Sequence, residues 1–100
     1  MAINPLAISA CTVTNALGWG VAASLTALQD RATGLRRCDF EDADLNTWIG
    51  RIAGLEDQPL TGELAAFDCR NNRLAWLALA QDGFQAAVNR AIARYGSDRI

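Results

Sequence analysis

The sequence predicts an α/β fold in which two helices pack on a small partial sheet. Three observations predict it: an early segment that is small or apolar on both faces, a helix directly after it, and a longer helix with an apolar stripe near the end. One hundred residues suffice for one small domain or for part of a larger one. Apolar residues are 51% of the chain, which predicts either a dense core or apolar surface that meets a partner.

The first predicted unit runs from residue 6 to residue 34 as a strand, a tight turn and a helix. Leu6 to Val13 (LAISACTV) is typical of a strand covered by helices on both sides. Thr14-Asn15 then turns the chain, and Gly18-Trp19-Gly20 begins the helix. Gly34 is expected to end this helix in the C′ position. The helix face expected to be buried has residues at i, i+4 and i+7: Val21, Leu25 and Leu28.

The middle of the chain is predicted to be mostly loop. Residues 36–46 are polar and acidic. A calcium loop beginning at Asp42 would need Gly and Glu where Thr47 and Ala53 stand, so a solvated loop is favoured. Residues 47–53 (TWIGRIA) are a short strand candidate. Residues 55–62 form a second loop, and Glu63 to Phe67 form one short helical turn.

The best-defined predicted element is a helix of about seven turns. Asp68 is its candidate N-cap, and the helix ends at Tyr95, before Gly96 in the C′ position. After a turn at Ser97-Asp98, Arg99-Ile100 is expected to begin a further strand. The apolar stripe of the helix steps by three and four residues: Leu74, Leu77, Gln81, Phe84, Val88, Ile92 and Tyr95.

Charge and composition exclude several classes of function. The net charge is −2, there is no Lys, and the nine Arg are scattered, so no basic stripe is available for nucleic acid. The sequence has neither an apolar run long enough to span a membrane nor the pattern of a signal peptide. We therefore expect a cytoplasmic protein that binds neither nucleic acid nor membrane. The absence of His excludes Ser-His and Cys-His catalysis within this chain.

The three cysteines are expected to be reduced and structural. Cys11, Cys38 and Cys69 are odd in number, widely spaced and without a C-x-x-C pair. Cys11 has no base to activate it, and its place in the first strand predicts a core position. Asn71-Asn72-Arg73 is interpreted as helix capping and a surface ion pair rather than as a binding edge. The sequence therefore assigns no catalytic residue, no cofactor-binding residue and no metal ligand.

Four short motifs occur in order along the chain. They are VTNALG at 13–18, TGL at 33–35, GRI at 50–52, and DCRNNR at 68–73 leading into LAWLALAQDGF. In this order they resemble the N-terminus of the β-ketoacyl-(acyl-carrier-protein) synthases, the condensing enzymes with a thiolase-like fold. Residues 9–12 (SACT) depart from the T-G-x-G of many members. That departure indicates a divergent branch of polyene or polyketide pathways, or a non-catalytic partner of the chain-length-factor type.

The resemblance implies that residues 1–100 are an N-terminal fragment of a β-ketoacyl synthase N-terminal domain, without the catalytic part. The family catalyses decarboxylative Claisen condensation of acyl and malonyl thioesters in fatty acid or polyketide biosynthesis, with acyl carrier protein as partner. Its nucleophile is a Cys in an A-C-x-S/T context, aided by His. Because no Cys here has that context, we expect the chain alone to be structural and inactive. The alternative is a self-standing, non-catalytic α/β interaction module.

The same features predict self-association. A strand at Leu6–Val13 without neighbours has open edges, which are templates for pairing with another chain. The face of the long helix that holds Trp76, Leu79 and Gly83 is expected to be uncovered. We therefore expect copies to associate by edge pairing or by exchange of a helix. The competing expectation is a compact monomer whose long helix folds over the sheet.

Overall fold

Three α-helices, three 3₁₀ helices and two antiparallel hairpins make up the chain, in a computed structural model that describes all residues from Met1 to Ile100. The strands pair as β1 with β2 and β3 with β4: Thr14–Asn15, Gly18–Trp19, Leu35–Arg37 and Trp48–Gly50. The α-helices are α1, α2 and α3: Gly20–Gln29, Arg70–Leu79 and Phe84–Tyr95. The 3₁₀ helices are Leu55–Asp57, Gly62–Phe67 and Ser97–Arg99. The mixed α/β composition is confirmed, but the chain has two separate two-stranded sheets instead of one partial sheet.

The predicted strand at Leu6–Val13 is wrong. Residues 1–13 belong to no helix or strand, and Leu6 and Ile8 are 95% and 87% exposed. A strand needs a neighbour to accept and donate its backbone hydrogen bonds. The nearest paired residues, Thr14–Asn15, use their partner strand within the same tight hairpin. The apolar pattern therefore describes a segment that could form a buried strand, but no other strand pairs with it.

The first hairpin holds the start of α1 through side-chain hydrogen bonds. Asn15 Oδ1 accepts from the Leu17 N–H at 2.8 Å, and Thr14 Oγ1 accepts from the Gly20 N–H at 3.2 Å. The N–H of Val21, in the first turn of α1, has no acceptor within the helix and donates to the Asp82 carboxylate at 2.9 Å. Asp82 lies between α2 and α3 and caps α1 from 61 residues away. This hydrogen bond connects the N-terminal helix to the corner between the two C-terminal helices.

Helix α1 buries a different face from the one predicted. Val21, Leu25 and Leu28 are 37%, 54% and 66% exposed, whereas Gly20 and Ser24 are buried. The small residues face the first hairpin because they allow a close approach of the helix backbone. The helix also ends at Gln29, well before Gly34. Its terminus is closed by Arg31 in the left-handed region (φ 53°) and by the Ala32 N–H donating to the Ala27 carbonyl.

The predicted long helix is two helices, α2 and α3. The break lies at Asp82 and Gly83, which have φ angles of 57° and 65°. Two consecutive left-handed residues end a right-handed helix, and Gly accepts this conformation without a Cβ clash. The end of α3 at Tyr95 is as predicted. Residues 97–99 then form a 3₁₀ turn instead of the expected turn and strand.

The hydrophobic core is small and lies around α2. Ile52, Leu55 and Leu77 form its buried cluster, with Leu74 packed against it. The chain exposes 8081 Å², about 2,600 Å² more than the ~5,500 Å² expected for a folded monomer of its mass. Its radius of gyration is 17.3 Å, against ~13 Å for a compact domain of 100 residues. None of the helices has the length and apolar composition needed to cross a membrane.

Candidate functional site

A cleft of about 460 Å³ lies where the second hairpin meets the first. Three of the four sequence motifs contribute to its lining, and the lining residues are Ala16, Thr33, Gly34, Leu35, Arg36, Arg51, Ile52, Ala53, Gly54 and Glu56. The cleft is therefore the place where segments that are distant in sequence come together.

Gly34 makes this meeting possible. A Cβ at position 34 would lie 2.7 Å from the carbonyl carbon and oxygen of Ala16, and a Cβ at Gly50 would lie 3.2 Å from the Ala16 Cβ. Gly34 has no left-handed φ angle, so its requirement is for space and not for backbone conformation. The TGL and GRI motifs thus pack directly on the turn of the VTNALG motif.

A cluster of arginines, carboxylates and one aromatic ring borders the cleft. Arg51 bridges two carboxylates, with 3.0 Å to Asp39 and 3.2 Å to Glu56. Glu56 also accepts from Arg70, so one carboxylate joins two guanidinium groups. Both guanidinium groups lie over the ring of Phe40, at 4.9 Å and 5.0 Å from its centroid. This geometry combines ion pairs with cation–π contacts.

Arg73 connects the start of α2 to the same cluster. It forms a two-pronged pair with Asp68, at 2.5 Å and 2.6 Å, and donates to the backbone carbonyl of Glu56 at 3.0 Å. Asp68 also accepts from the Leu60 N–H at 3.2 Å. The predicted surface ion pair of Arg73 is confirmed. The N-cap prediction for Asp68 is wrong, because Cys69 occupies that position and makes no side-chain cap bond.

Two carboxylates of this cluster, Glu56 and Asp68, have lowered pKa values. The hydrogen bond from Arg70, with help from Arg51, lowers the pKa of Glu56 to about 2. The hydrogen bond from Arg73 and the backbone N–H of Leu60 lower the pKa of Asp68 to about 2. With these pKa values both carboxyl groups are ionised near pH 7 and have no proton to donate. General acid catalysis needs a pKa close to the working pH, so neither group suits that role. The cluster is suited to holding segments together, not to moving protons.

The cysteines do not occupy the positions expected of structural thiols. Cys11 and Cys69 are exposed, and Cys38 is half-buried with its Sγ 3.6 Å from the Ala43 carbonyl. The predicted core position of Cys11 is wrong because residues 6–13 form no strand that could bury it. All three are free thiols. No group of three or more His, Cys, Asp or Glu residues lies close enough to hold a metal ion.

Sequence reasoning missed three members of the cluster. It placed Asp39, Phe40 and Glu56 in solvated loops, since nothing in their spacing indicates that they share a site. A single aromatic residue within an acidic stretch was the only available signal. Their partners, Arg51 and Arg70, lie up to 30 positions away along the chain and are brought close by the fold.

Comparison of the chain with models of known protein families, with curated proteins and with solved structures finds no match in any of the three. Function therefore has to be inferred from the residues at the cleft and from the surface around them. These residues offer close packing, ion pairing and apolar contact, and they offer no nucleophile with a base beside it.

Proposed function

We propose that the chain is the N-terminal segment of a cytoplasmic β-ketoacyl-(acyl-carrier-protein) synthase and that its role there is structural. The parent enzyme would condense acyl and malonyl thioesters in fatty acid or polyketide biosynthesis, with acyl carrier protein as its partner. This segment would supply part of the layered α/β core of that enzyme, and the nucleophile and its helpers would come from the rest of the enzyme.

The observation that carries the proposal is the convergence of the motifs. Ala16, Gly34 and Gly50 make the close contacts at the cleft, and Arg51 and Arg70 share the Glu56 carboxylate. Apart from Glu56, each of these residues belongs to one of the motifs on which the family resemblance depends, and all four motifs are represented. Chance matches to short motifs would not be expected to fall on the positions that hold distant segments together.

The exposed apolar surface supports the same proposal. The side chains of Leu6, Ile8, Leu25 and Leu28 are mostly exposed, on a segment and a helix face whose patterns are typical of burial. Covering such surface is what the remainder of a larger enzyme would do. A non-catalytic interaction module is the second candidate, and it is favoured by α3, none of whose residues is buried and on which Ile92 and Tyr95 are exposed.

The reading frame that follows Ile100 tests the proposal most directly. A Gly- and Val-rich strand followed by G-T/S-x-T/S is the expected finding. A stop codon directly after Ile100 would contradict the enzyme and favour the interaction module.

An activity measurement tests the structural role. Incubated with acyl and malonyl carrier proteins, the isolated chain is expected to release no carbon dioxide above background, because it has no His and no Cys in a nucleophile context. Cys11→Ala is the matched variant. Turnover by the native chain that this substitution abolishes would overturn the proposal that the segment is inactive.

A further inference from the structure

We propose that α3 is the surface through which two copies of this chain associate, with the two α3 helices antiparallel about a twofold axis between Ala87 and Val88. This inference goes beyond the proposed function, since it concerns the isolated chain whether or not it belongs to a condensing enzyme. It rests on the uncovered area of the molecule, on the shape of the α3 surface and on the order of large and small residues along that helix.

The molecule has enough uncovered area for a stable dimer. A standard interface takes ~800 Å² from each partner, and the chain exposes about 2,600 Å² more than a compact monomer of its mass. Helix α3 contributes to this excess, because it is amphipathic and yet none of its twelve residues is buried. Its apolar residues Phe84, Ala87, Val88 and Ala91 are half-buried, so the apolar side of α3 is only partly covered.

The α3 surface has the shape that self-pairing needs. Phe84 and Val88 lie between two grooves and line both of them. The larger groove, of about 440 Å³, is also lined by Ser9, Ala10, Ala87, Arg90, Ala91 and Ile100. The smaller groove, of about 180 Å³, is also lined by Leu79, Gln85 and Asn89. A ridge beside a groove on one face is self-complementary, because each copy's ridge can enter the other's groove about a twofold axis.

The order of residues along α3 selects one register. In an antiparallel pair centred between Ala87 and Val88, Phe84 lies opposite the partner's Ala91, and Val88 lies opposite the partner's Ala87. Each large side chain thus meets a small one, which is how facing helices interdigitate. A shift of the centre onto Val88 would instead place Phe84 opposite the partner's Ile92 and Val88 opposite itself.

The charges are compatible with this register. Arg90 is the single charged residue that lines either groove. In the antiparallel pair it lies opposite the partner's Gln85, so the two Arg90 side chains do not face each other. The net charge of −2 per chain adds little long-range repulsion at physiological salt.

Sedimentation equilibrium of the full chain at tens of micromolar tests the pairing. The expected mass is twice the 10.7 kDa of the chain. Ala91→Phe fills the groove and Phe84→Ala removes the ridge, and each is expected to raise the dimer dissociation constant by about tenfold or more, as for a central interface residue. Ala93→Phe, the same substitution at an exposed position on the other side of α3, is expected to leave it unchanged.

The double variant Phe84→Ala/Ala91→Phe separates self-pairing from other causes. It exchanges ridge and groove, and so it is expected to restore dimerisation to within about threefold of the native chain. Within one helix the two positions are seven residues, or about 10.5 Å, apart, so restoration has to act between copies. Failure of the double variant to restore the dimer, while its circular dichroism matches that of the native chain, would overturn the register.

A disulfide cross-link between copies tests the same pairing if those variants fail to fold. In a chain carrying Cys11→Ser, Cys38→Ser and Cys69→Ser, Val88→Cys is expected to form an interchain disulfide on oxidation, and Ala93→Cys is not. A native chain that stays monomeric at tens of micromolar would overturn the proposal. So would a dimer that neither Ala91→Phe nor Phe84→Ala weakens, because such a dimer must use another surface, such as residues 6–8.

Discussion

At the scale of single residues, Gly34 marks a very close approach between two parts of the chain. Because a Cβ there would meet backbone atoms of Ala16 at 2.7 Å, Gly34→Ala forces the second hairpin away from the first. We expect a loss of ~1–3 kcal/mol in the free energy of unfolding, as for an overpacked site. Urea denaturation followed by tryptophan fluorescence measures it. A loss below ~0.5 kcal/mol, the range of ordinary surface changes, would contradict the close packing.

The Asp68–Arg73 pair predicts a pH dependence of stability. The folded pKa of Asp68 is about 2, below its ordinary value of 3.8. The pair therefore stabilises the folded state most at any pH where Asp68 is ionised in the unfolded chain as well. That contribution is present above about pH 4 and is lost as the pH falls toward 2. Glu56, with a folded pKa of about 2, loses its contribution over a similar range.

Asp68→Asn tests this pH dependence. The variant is expected to be less stable than the native chain at pH 7 and to lose less stability between about pH 4 and pH 2. The urea midpoint measured across this range reports the difference. Asp42→Asn, in an exposed loop, is the matched control and is expected to retain the native dependence. Parallel curves for Asp68→Asn and the native chain would contradict the pair.

At the scale of the elements, α2 contributes a large side chain to the core, whereas the large apolar side chains of α1 stay outside it. Leu77 is buried in the cluster with Ile52 and Leu55, whereas Leu28 is exposed on α1. Leu77→Ala is expected to cost ~2–5 kcal/mol of unfolding free energy, because it leaves a cavity in the cluster. Leu28→Ala is the matched control, with an expected change within ~0.5 kcal/mol. Chemical denaturation decides, and equal losses would show that the stripe on α1 is also buried.

The errors about the buried face of α1 and about the long helix have one physical cause. The stripes of Val21, Leu25 and Leu28 on α1, and of the predicted long helix, were identified correctly as apolar. Periodicity shows which residues share a face but not what that face contacts. The corner at Asp82–Gly83 forms because Asp82 accepts hydrogen bonds from Thr12 and Val21, which are more than 60 residues away. Asp-Gly is also a local turn signal, so the local sequence and these distant contacts both favour ending the helix here.

At the scale of the whole molecule, the exposed N-terminal segment distinguishes the modes of association. If α3 forms the dimer, the amides of residues 6–8, which line neither groove, are expected to exchange with solvent unprotected, because this segment has no partner strand. Hydrogen exchange with mass spectrometry, below and above the concentration of dimerisation, measures this. Protection that appears in residues 6–8 on dimerisation would show edge pairing between copies instead.

Taken alone, the sequence determined the α/β composition, the end of α3 at Tyr95, the short helical turn near residues 63–67, and the ion pair of Arg73. These features depend on contacts between residues that are near in sequence, and local patterns record such contacts. It also determined that apolar surface would remain uncovered, since residues such as Trp76 and Leu79 are exposed.

Only the tertiary structure decided which faces are covered and which residues form the cleft. Three features need segments that are far apart in sequence. They are the contact of Gly34 with Ala16, the ion pairs of Glu56 with Arg51 and Arg70, and the division of the long helix. A local pattern carries no information about which distant segment arrives. The physical reason is that burial and pairing each need two surfaces in contact. The sequence of one segment describes only one of these two surfaces.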